Sequence, residues 1–351
     1  MLLHPLSLAY DSDFSPIYEP RHVTKMTTQK NLSQDSTTQA LGRGDLLLFA
    51  SAGDSSKVAW ALSTKAMSPS FCWSALLEAS KNGHAECVRL LIPFSDAKKH
   101  DSIALGAAAE HGHAECVRLL IPVSDPMAND SYALRWAAEY GQSECVRLLL
   151  PFSDPLARES YALVAATENG HLECVELLIP VSDPMANDSR ALIQAATKGY
   201  AKCLALLLPL SDPLAHESLA LCFAAELGHL KCVELLIPVS DPNARGSRAL
   251  CRAATEGHAE CVKRLIPVSS SLLTHPAPFH AALRFGRAEI VGIFFEAEPS
   301  LVNIIDEAAI SLATKRDQHS LVALLLSVAE RRALLAGDAK QPARQSPAPR
   351  L

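Results

Sequence analysis

The chain of 351 residues has few aromatic side chains and no long apolar run. Phe, Trp and Tyr make up only 5% of its residues, which leaves few planar surfaces on which nucleotide bases stack. No segment approaches the ~18 consecutive apolar residues of a membrane helix. The formal net charge of -6 argues against a general binder of nucleic acid or of anionic membranes. The first residues lack a basic region before their short apolar run, so we expect no secretory signal peptide.

Glycine is also scarce, with 15 residues, but its spacing is regular. Seven glycines recur every 29 residues, and seven cysteines keep the same interval. They are Gly83, Gly112, Gly141, Gly170, Gly199, Gly228 and Gly257, with Cys87, Cys116, Cys145, Cys174, Cys203, Cys232 and Cys261. A fixed period of about 20 to 50 residues indicates a solenoid of stacked units. Glycines this far apart do not form a phosphate-binding loop.

The unit from Ser131 to Glu159 shows the pattern within one period. Its first half places four small apolar residues on one side of a helix, which predicts a buried helix face. These four residues are Ala133, Leu134, Ala137 and Ala138. We expect Ser131 to cap the start of this helix, and Gly141 to end it with a positive φ. A second helix should run from about Ser143 to Leu150, because Pro151 cannot continue it.

The segment from Ala104 to Leu120, ALGAAAEHGHAECVRLL, and its six sister segments resemble the ankyrin repeat. They share the pattern of Leu, Ala-Ala, Gly-His, Glu, Val and Leu-Leu. The resemblance implies an all-α chain, an ankyrin-type α-solenoid of stacked helix-turn-helix repeats. It also implies that the turn histidine donates a hydrogen bond to a neighbouring unit. Ankyrin units usually have 33 residues and a projecting β-hairpin, so the 29-residue period implies shortened return loops. Arrays with this short repeat period look like those of bacterial or large-virus ankyrin proteins.

The repeat pattern divides the chain into a solenoid and two tails. Residues 1–42 are rich in Ser, Thr and Gln, and residues 336–351 in Pro, Ala, Gln and Arg, so we expect both segments to be disordered. Residues 43–335 form a solenoid of about ten repeats. Within it we expect caps at 43–72 and 305–335, regular repeats at 73–275 and a divergent repeat at 276–304.

The sequence offers little for metal binding or catalysis. His-x-x-Cys pairs recur, but two ligands per unit do not complete a tetrahedral zinc site. Neighbouring cysteines should lie one layer apart, on the order of 8–10 Å, which is too far for a disulfide. We therefore expect buried free thiols, no metal and no cofactor. Ser, His and Glu recur once per unit at positions that turns and caps explain, so we expect no enzyme activity.

Function is therefore sought where the units differ. The resemblance implies that one face of the first helices lies on the concave side of the array. The large and charged side chains on this face or flanking it are Tyr132, Arg135, Trp136, Tyr140, Tyr161, Arg190, Gln194, Phe223, Arg248 and Arg252. Aromatic residues and arginine carry much of the energy of protein interfaces. The alternative is that these positions vary because nothing constrains them. Four glutamates beside this face, Glu110, Glu139, Glu168 and Glu226, are interpreted as a solvated acidic edge.

These features predict a soluble, monomeric, non-enzymatic module that binds another protein on its concave face. Two alternatives remain open. One is a bacterial effector delivered into a host cell through its N-terminal tail, and the other is a structural array whose tails make the contacts. We expect a cytoplasmic location, in the protein's own cell or in a host, and neither a nucleic acid nor a membrane as partner.

Overall fold

The computed structural model describes residues 43–64, 68–305 and 307–338. The predicted N-terminal tail and residues 339–351 of the predicted C-terminal tail lie outside the described residues. Over the described residues the chain forms twenty α-helices in ten consecutive pairs, without β-strands, which confirms the all-α solenoid.

The helices alternate between a first and a second helix of each unit. The first helices are α1 (Arg43–Ala52), α3 (Pro69–Lys81), α5 (Lys99–Glu110), α7 (Ala128–Glu139), α9 (Ala157–Glu168), α11 (Ala186–Lys198), α13 (Ala215–Glu226), α15 (Ala244–Glu256), α17 (Ala277–Arg284) and α19 (Glu307–Lys315). The second helices are α2 (Ser55–Ser63), α4 (Ala85–Leu91), α6 (Ala114–Leu120), α8 (Ser143–Leu149), α10 (Leu172–Leu178), α12 (Ala201–Leu207), α14 (Leu230–Leu236), α16 (Ala259–Leu265), α18 (Ala288–Ala297) and α20 (His319–Asp338).

Each first helix packs on the first helices of the neighbouring units, and each second helix on the neighbouring second helices. The core is continuous along the stack. In the fourth unit, formed by α7 and α8, Leu134, Ala137, Val146 and Leu149 have no exposed surface, and Cys145 is 1% exposed. Burying a leucine side chain contributes about 1.5–3 kcal/mol relative to leaving it exposed. The regular units supply closely similar sets, and each unit buries its apolar face against its neighbours.

The return loops are short. After α8, residues Leu150–Phe152 form one 3-10 turn, and a carboxylate oxygen of Asp154 then accepts a hydrogen bond from the backbone N–H of Leu156 at 2.9 Å. The next helix begins at Ala157. The same turn recurs after α6, α10 and α12. The Ser-Asp-Pro runs are therefore turns, and the described return loops contain no β-hairpin.

The role predicted for Ser131 is wrong. Asn129, Asp130 and Ser131 have φ values of 48°, 54° and 56°, so the right-handed part of α7 begins only at Tyr132. The hydroxyl of Ser131 accepts a hydrogen bond from the backbone N–H of Asp154 at 2.8 Å, and the side chain is fully buried. The serine thus ties the start of one first helix to the loop that leads into the next. The same bond joins Asp125 to Ser102, Asp183 to Ser160, Asp212 to Ser189 and Asp241 to Ser218.

The glycine turn and the following histidine connect neighbouring units as the resemblance implies. Gly141 has a φ of +72°, and a Cβ there would lie 2.4 Å from Nδ1 of His171 in the next unit. Nε2 of His171 lies 3.0 Å from the carbonyl oxygen of Glu139, to which it donates a hydrogen bond. Where histidine is absent another donor can take its place, since Nε2 of Gln142 donates to the carbonyl of Glu110 at 3.2 Å.

The ends of the stack depart from the regular unit. Asp317 occupies the glycine position of the last unit and adopts a φ of 54°. In the divergent repeat α18 is ten residues long instead of seven, because its proline comes later, at Pro299. Residues 336–338, which the sequence analysis assigns to the C-terminal tail, are the last residues of α20.

Candidate functional site

Three aromatic side chains form a ladder along α7. Tyr132, Trp136 and Tyr140 follow one another at four-residue spacing, which places them on one face of the helix. The ring centroids of Tyr132 and Trp136 are 5.1 Å apart, and those of Trp136 and Tyr140 are 5.4 Å apart with ring planes within 12° of parallel. The first two side chains are half-buried, and Tyr140 is 47% exposed. The predicted residues therefore form one contiguous aromatic surface, which we call the aromatic ladder.

The preceding first helix, α5, carries no side chain at the place where the first ring of the ladder packs. A Cβ at Gly106 of α5 would lie 2.6 Å from Cε1 of Tyr132. Gly106 has an ordinary helical backbone, so the absence of a side chain there provides space rather than an unusual φ. The tyrosine ring packs directly against the helix backbone, which fixes the first rung of the ladder.

Arg135 is placed inside this site rather than on its surface. It is only 8% exposed, and its Nε and Nη2 donate to the carbonyl oxygens of Asp130 and Asn129, both at 2.9 Å. Its guanidinium carbon lies 5.9 Å from the ring centroid of Tyr132 and 5.8 Å from that of Tyr161. Arg135 therefore supports the left-handed turn at the start of α7 and positions the two tyrosine rings.

A row of three glutamates borders the ladder, one from each of α5, α7 and α9. Burial raises the pKa of Glu110 and, together with the neighbouring Glu168, that of Glu139. Burial, Glu110 and Glu139 in turn raise the pKa of Tyr140, while burial and Glu110 raise the pKa of Tyr132 to about 12. Glu110, Glu139 and Glu168 are partly exposed, and burial removes part of the hydration of Glu110 and Glu139.

The remaining candidate residues lie on the first helices of later units and are basic or neutral. Arg252 forms an ion pair with Glu226 at 3.1 Å. Among the described residues, Arg190 and Arg248 have no carboxylate within 4 Å. Gln194 and Phe223 are half-buried. The helix-one face, defined by these residues and the ladder, is thus acidic and aromatic on α5, α7 and α9 and basic on α11 and α15.

The cysteines do not form a chemical site. All seven periodic cysteines are free thiols that are at most 2% exposed. Burial raises the pKa of the Cys145 thiol to about 11 and that of Cys174 to about 12, which suppresses the reactive thiolate. Within the described residues no group of three or more His, Cys, Asp and Glu side chains is placed to hold a metal ion. Along the same residues, no helix has the length and apolarity needed to cross a bilayer.

A second surface lies along the return loops. A groove of about 560 Å³ is bordered by Met127, Leu148 and Phe152 between two successive loops. Met127 is 59% exposed and Phe152 52% exposed. Similar apolar side chains, such as Leu156 and Met185, are exposed in other units. Because this edge repeats from unit to unit, it distinguishes one unit from another less than the helix-one face does.

The fold and the helix-one face define a helical repeat protein whose units differ along that face. A family model described as "Ankyrin repeats (3 copies)" matches residues 46–130, 76–159, 134–217, 192–274 and 221–304. The chain belongs to the ankyrin-repeat family. A search of curated proteins finds no match. One solved structure similar to this chain is the human ASB11 ankyrin repeat domain, with 22% sequence identity and a TM-score of 0.48 over 56% of this chain and 96% of that one.

Proposed function

We propose that the chain is a non-enzymatic binding module whose helix-one face holds a partner protein. Ankyrin repeats are generally protein–protein interaction modules and typically lack enzyme activity. The observation that carries the proposal is the aromatic ladder, because Trp136 and Tyr140 are at least partly exposed and make none of the hydrogen bonds that connect the units. Those bonds come from the repeated Ser, Gly and His positions.

The composition of the face supports the same function. Tyr, Trp and Arg are the residue types enriched among those that cost ~2 kcal/mol or more when truncated in protein interfaces. Tyr132 and Trp136 are held by packing before a partner arrives, so their ordering costs little on binding. Arg190, which helps to set the electrostatic environment of Tyr161, extends this surface toward α11.

The test compares the partners captured by the full chain with those captured by a variant of the helix-one face. The variant carries Ala at Tyr132, Trp136, Arg190 and Arg248. A matched control carries Ala at four exposed charged residues of the second helices, namely Arg118, Glu144, Arg147 and Glu173. Circular dichroism establishes that both variants keep the helicity of the parent chain.

We expect a captured protein that is retained by the control and lost by the face variant. Two truncated proteins are tested beside these variants, one without residues 1–42 and the other without residues 339–351. If removal of a tail abolishes capture while the face variant retains it, the tails make the contacts and the proposal fails.

A further inference from the structure

We infer that the aromatic ladder and the three glutamates beside it receive a peptide segment of the partner that carries lysine or arginine side chains. This inference rests on the proposed function and names the chemistry of the partner at one part of the face. In the proposed arrangement, a cationic group lies over the rings of Trp136 and Tyr140 and pairs with Glu139.

The glutamate row has too few positive charges of its own. Among the described residues, Glu139 has no ion-pair partner within 4 Å, and Glu110 has only the imidazole of His111, at 3.9 Å. Glu168 has Lys198 at 3.8 Å. The nearest permanent cation on α7 is Arg135, whose guanidinium donates to two backbone carbonyls instead. A cation from a partner would relieve the repulsion among carboxylates that are already partly desolvated.

The rings of the ladder also favour a cationic group from the partner. Trp136 and Tyr140 stack nearly in parallel, and their faces attract a guanidinium or ammonium group within about 6 Å. Glu139 follows Trp136 by three residues on α7 and directly precedes Tyr140, which places its carboxylate beside the rings. One side chain can therefore satisfy a ring face and a carboxylate together, which neither an acidic nor an apolar residue does.

The charge along the face also favours one direction of binding. The glutamates lie on α5, α7 and α9, while the unpaired Arg190 and Arg248 lie on α11 and α15. A partner segment with basic residues over the ladder and acidic residues further on complements the whole face. The same distribution disfavours nucleic acid, because a phosphate backbone would lie against the glutamate row.

The experiment is a selection from a random 12-residue peptide library on the full chain. Three variants are selected in parallel, and circular dichroism verifies their folding. The first replaces Glu110, Glu139 and Glu168 with Gln, which removes charge and keeps shape. The second is Trp136→Ala. The third is Phe152→Ala, which removes an exposed aromatic ring from the return-loop edge of the same unit.

On the parent chain and on Phe152→Ala, we expect the frequency of Lys and Arg in the selected peptides to rise at least about twofold over the input library. On the glutamine variant this rise should disappear. Replacing the arginines of one selected peptide with citrulline, which is neutral and of similar shape, should weaken its binding about fivefold or more.

Two outcomes contradict the inference in different ways. If peptides depend on Trp136 but are acidic or apolar, or if the glutamine variant selects the same basic peptides, the face binds a partner of other chemistry and the proposed function stands. If no selected peptide depends on Trp136, both the inference and binding at the ladder fail.

Discussion

Substituting Gly141 with Ala tests how the units are connected. The left-handed φ of +72° at this position costs a residue with a Cβ roughly 1–2 kcal/mol. The new Cβ would also lie 2.4 Å from Nδ1 and 2.7 Å from Cε1 of His171. The imidazole must move, and its hydrogen bond to the carbonyl of Glu139 is lost, at a further cost of about 0.5–1.5 kcal/mol. We therefore expect Gly141→Ala to lower the free energy of unfolding by about 2–3 kcal/mol.

The chain contains a control for the backbone cost alone. Gly246 has a similar φ of +67°, but a Cβ there meets no atom within 4 Å. Gly246→Ala should therefore cost only about 1–2 kcal/mol. The cost of the contact with the imidazole is measured by introducing Gly141→Ala into a chain that already carries His171→Ala. Without the imidazole, Gly141→Ala should cost no more than Gly246→Ala.

The assay is urea unfolding followed by circular dichroism at 222 nm, with the change in midpoint interpreted at a constant slope. The reasoning is refuted if Gly141→Ala is no more costly than Gly246→Ala. It is also refuted if Gly141→Ala lowers the free energy of unfolding equally with and without the His171 side chain, because the contact between the new Cβ and the imidazole would then not contribute to the cost.

Three further predictions concern burial and charge. Ser160→Ala leaves the backbone N–H of Asp183 without its acceptor and should lower the free energy of unfolding by about 1–3 kcal/mol. Hydrogen exchange at the amide of Asp183 should also become faster. The control Ser143→Ala, at a position where other units carry Ala, should change neither quantity. The seven periodic thiols are buried and should resist alkylation at pH 8 in the native chain; at Cys145, for example, a pKa of about 11 leaves roughly one thiolate per thousand. The half-buried Cys251 should react before them, and rapid native labelling of all ten cysteines contradicts this. Because its pKa is raised in the fold, Glu139 binds its proton more tightly there than in the unfolded chain, so its contribution to stability falls as pH rises from the ordinary value of 4.5 through the raised pKa. Glu139→Gln should therefore raise the urea midpoint at pH 7 but not below pH 4.5, and an equal gain at both pH values would assign it to another cause.

The architecture could be predicted from the sequence because the same unit recurs many times along the chain. The period of Gly141 and Cys145 gives the number of units and the place of each turn. The positive φ at Gly141 follows from the residue type. The position of the two helices follows from apolar spacing and from Pro151.

The outcomes for Ser131 and Glu139 have a common physical origin. The type and position of Ser131 predict a helix cap, but its partner is the N–H of Asp154, 23 residues away. Glu139 was interpreted as part of a solvated edge from its residue type and its place beside the helix-one face, but burial in the stack and the carboxylates of adjacent helices raise its pKa. In both cases the deciding contact is made in the folded stack, and local sequence patterns do not contain it.

The first residue of the helix-one face in each unit depends in the same way on its neighbours in the stack. Tyr132 and Tyr161 occupy equivalent positions in successive units, but different residues support them. The ring of Tyr132 lies where Gly106 has no side chain, and the ring of Tyr161 faces the guanidinium of Arg135. The position of each ring is thus decided by the unit before it. A face residue of this array is therefore specified by pairs of neighbouring units, and moving one unit to another place in the stack would remove its site while leaving its fold intact.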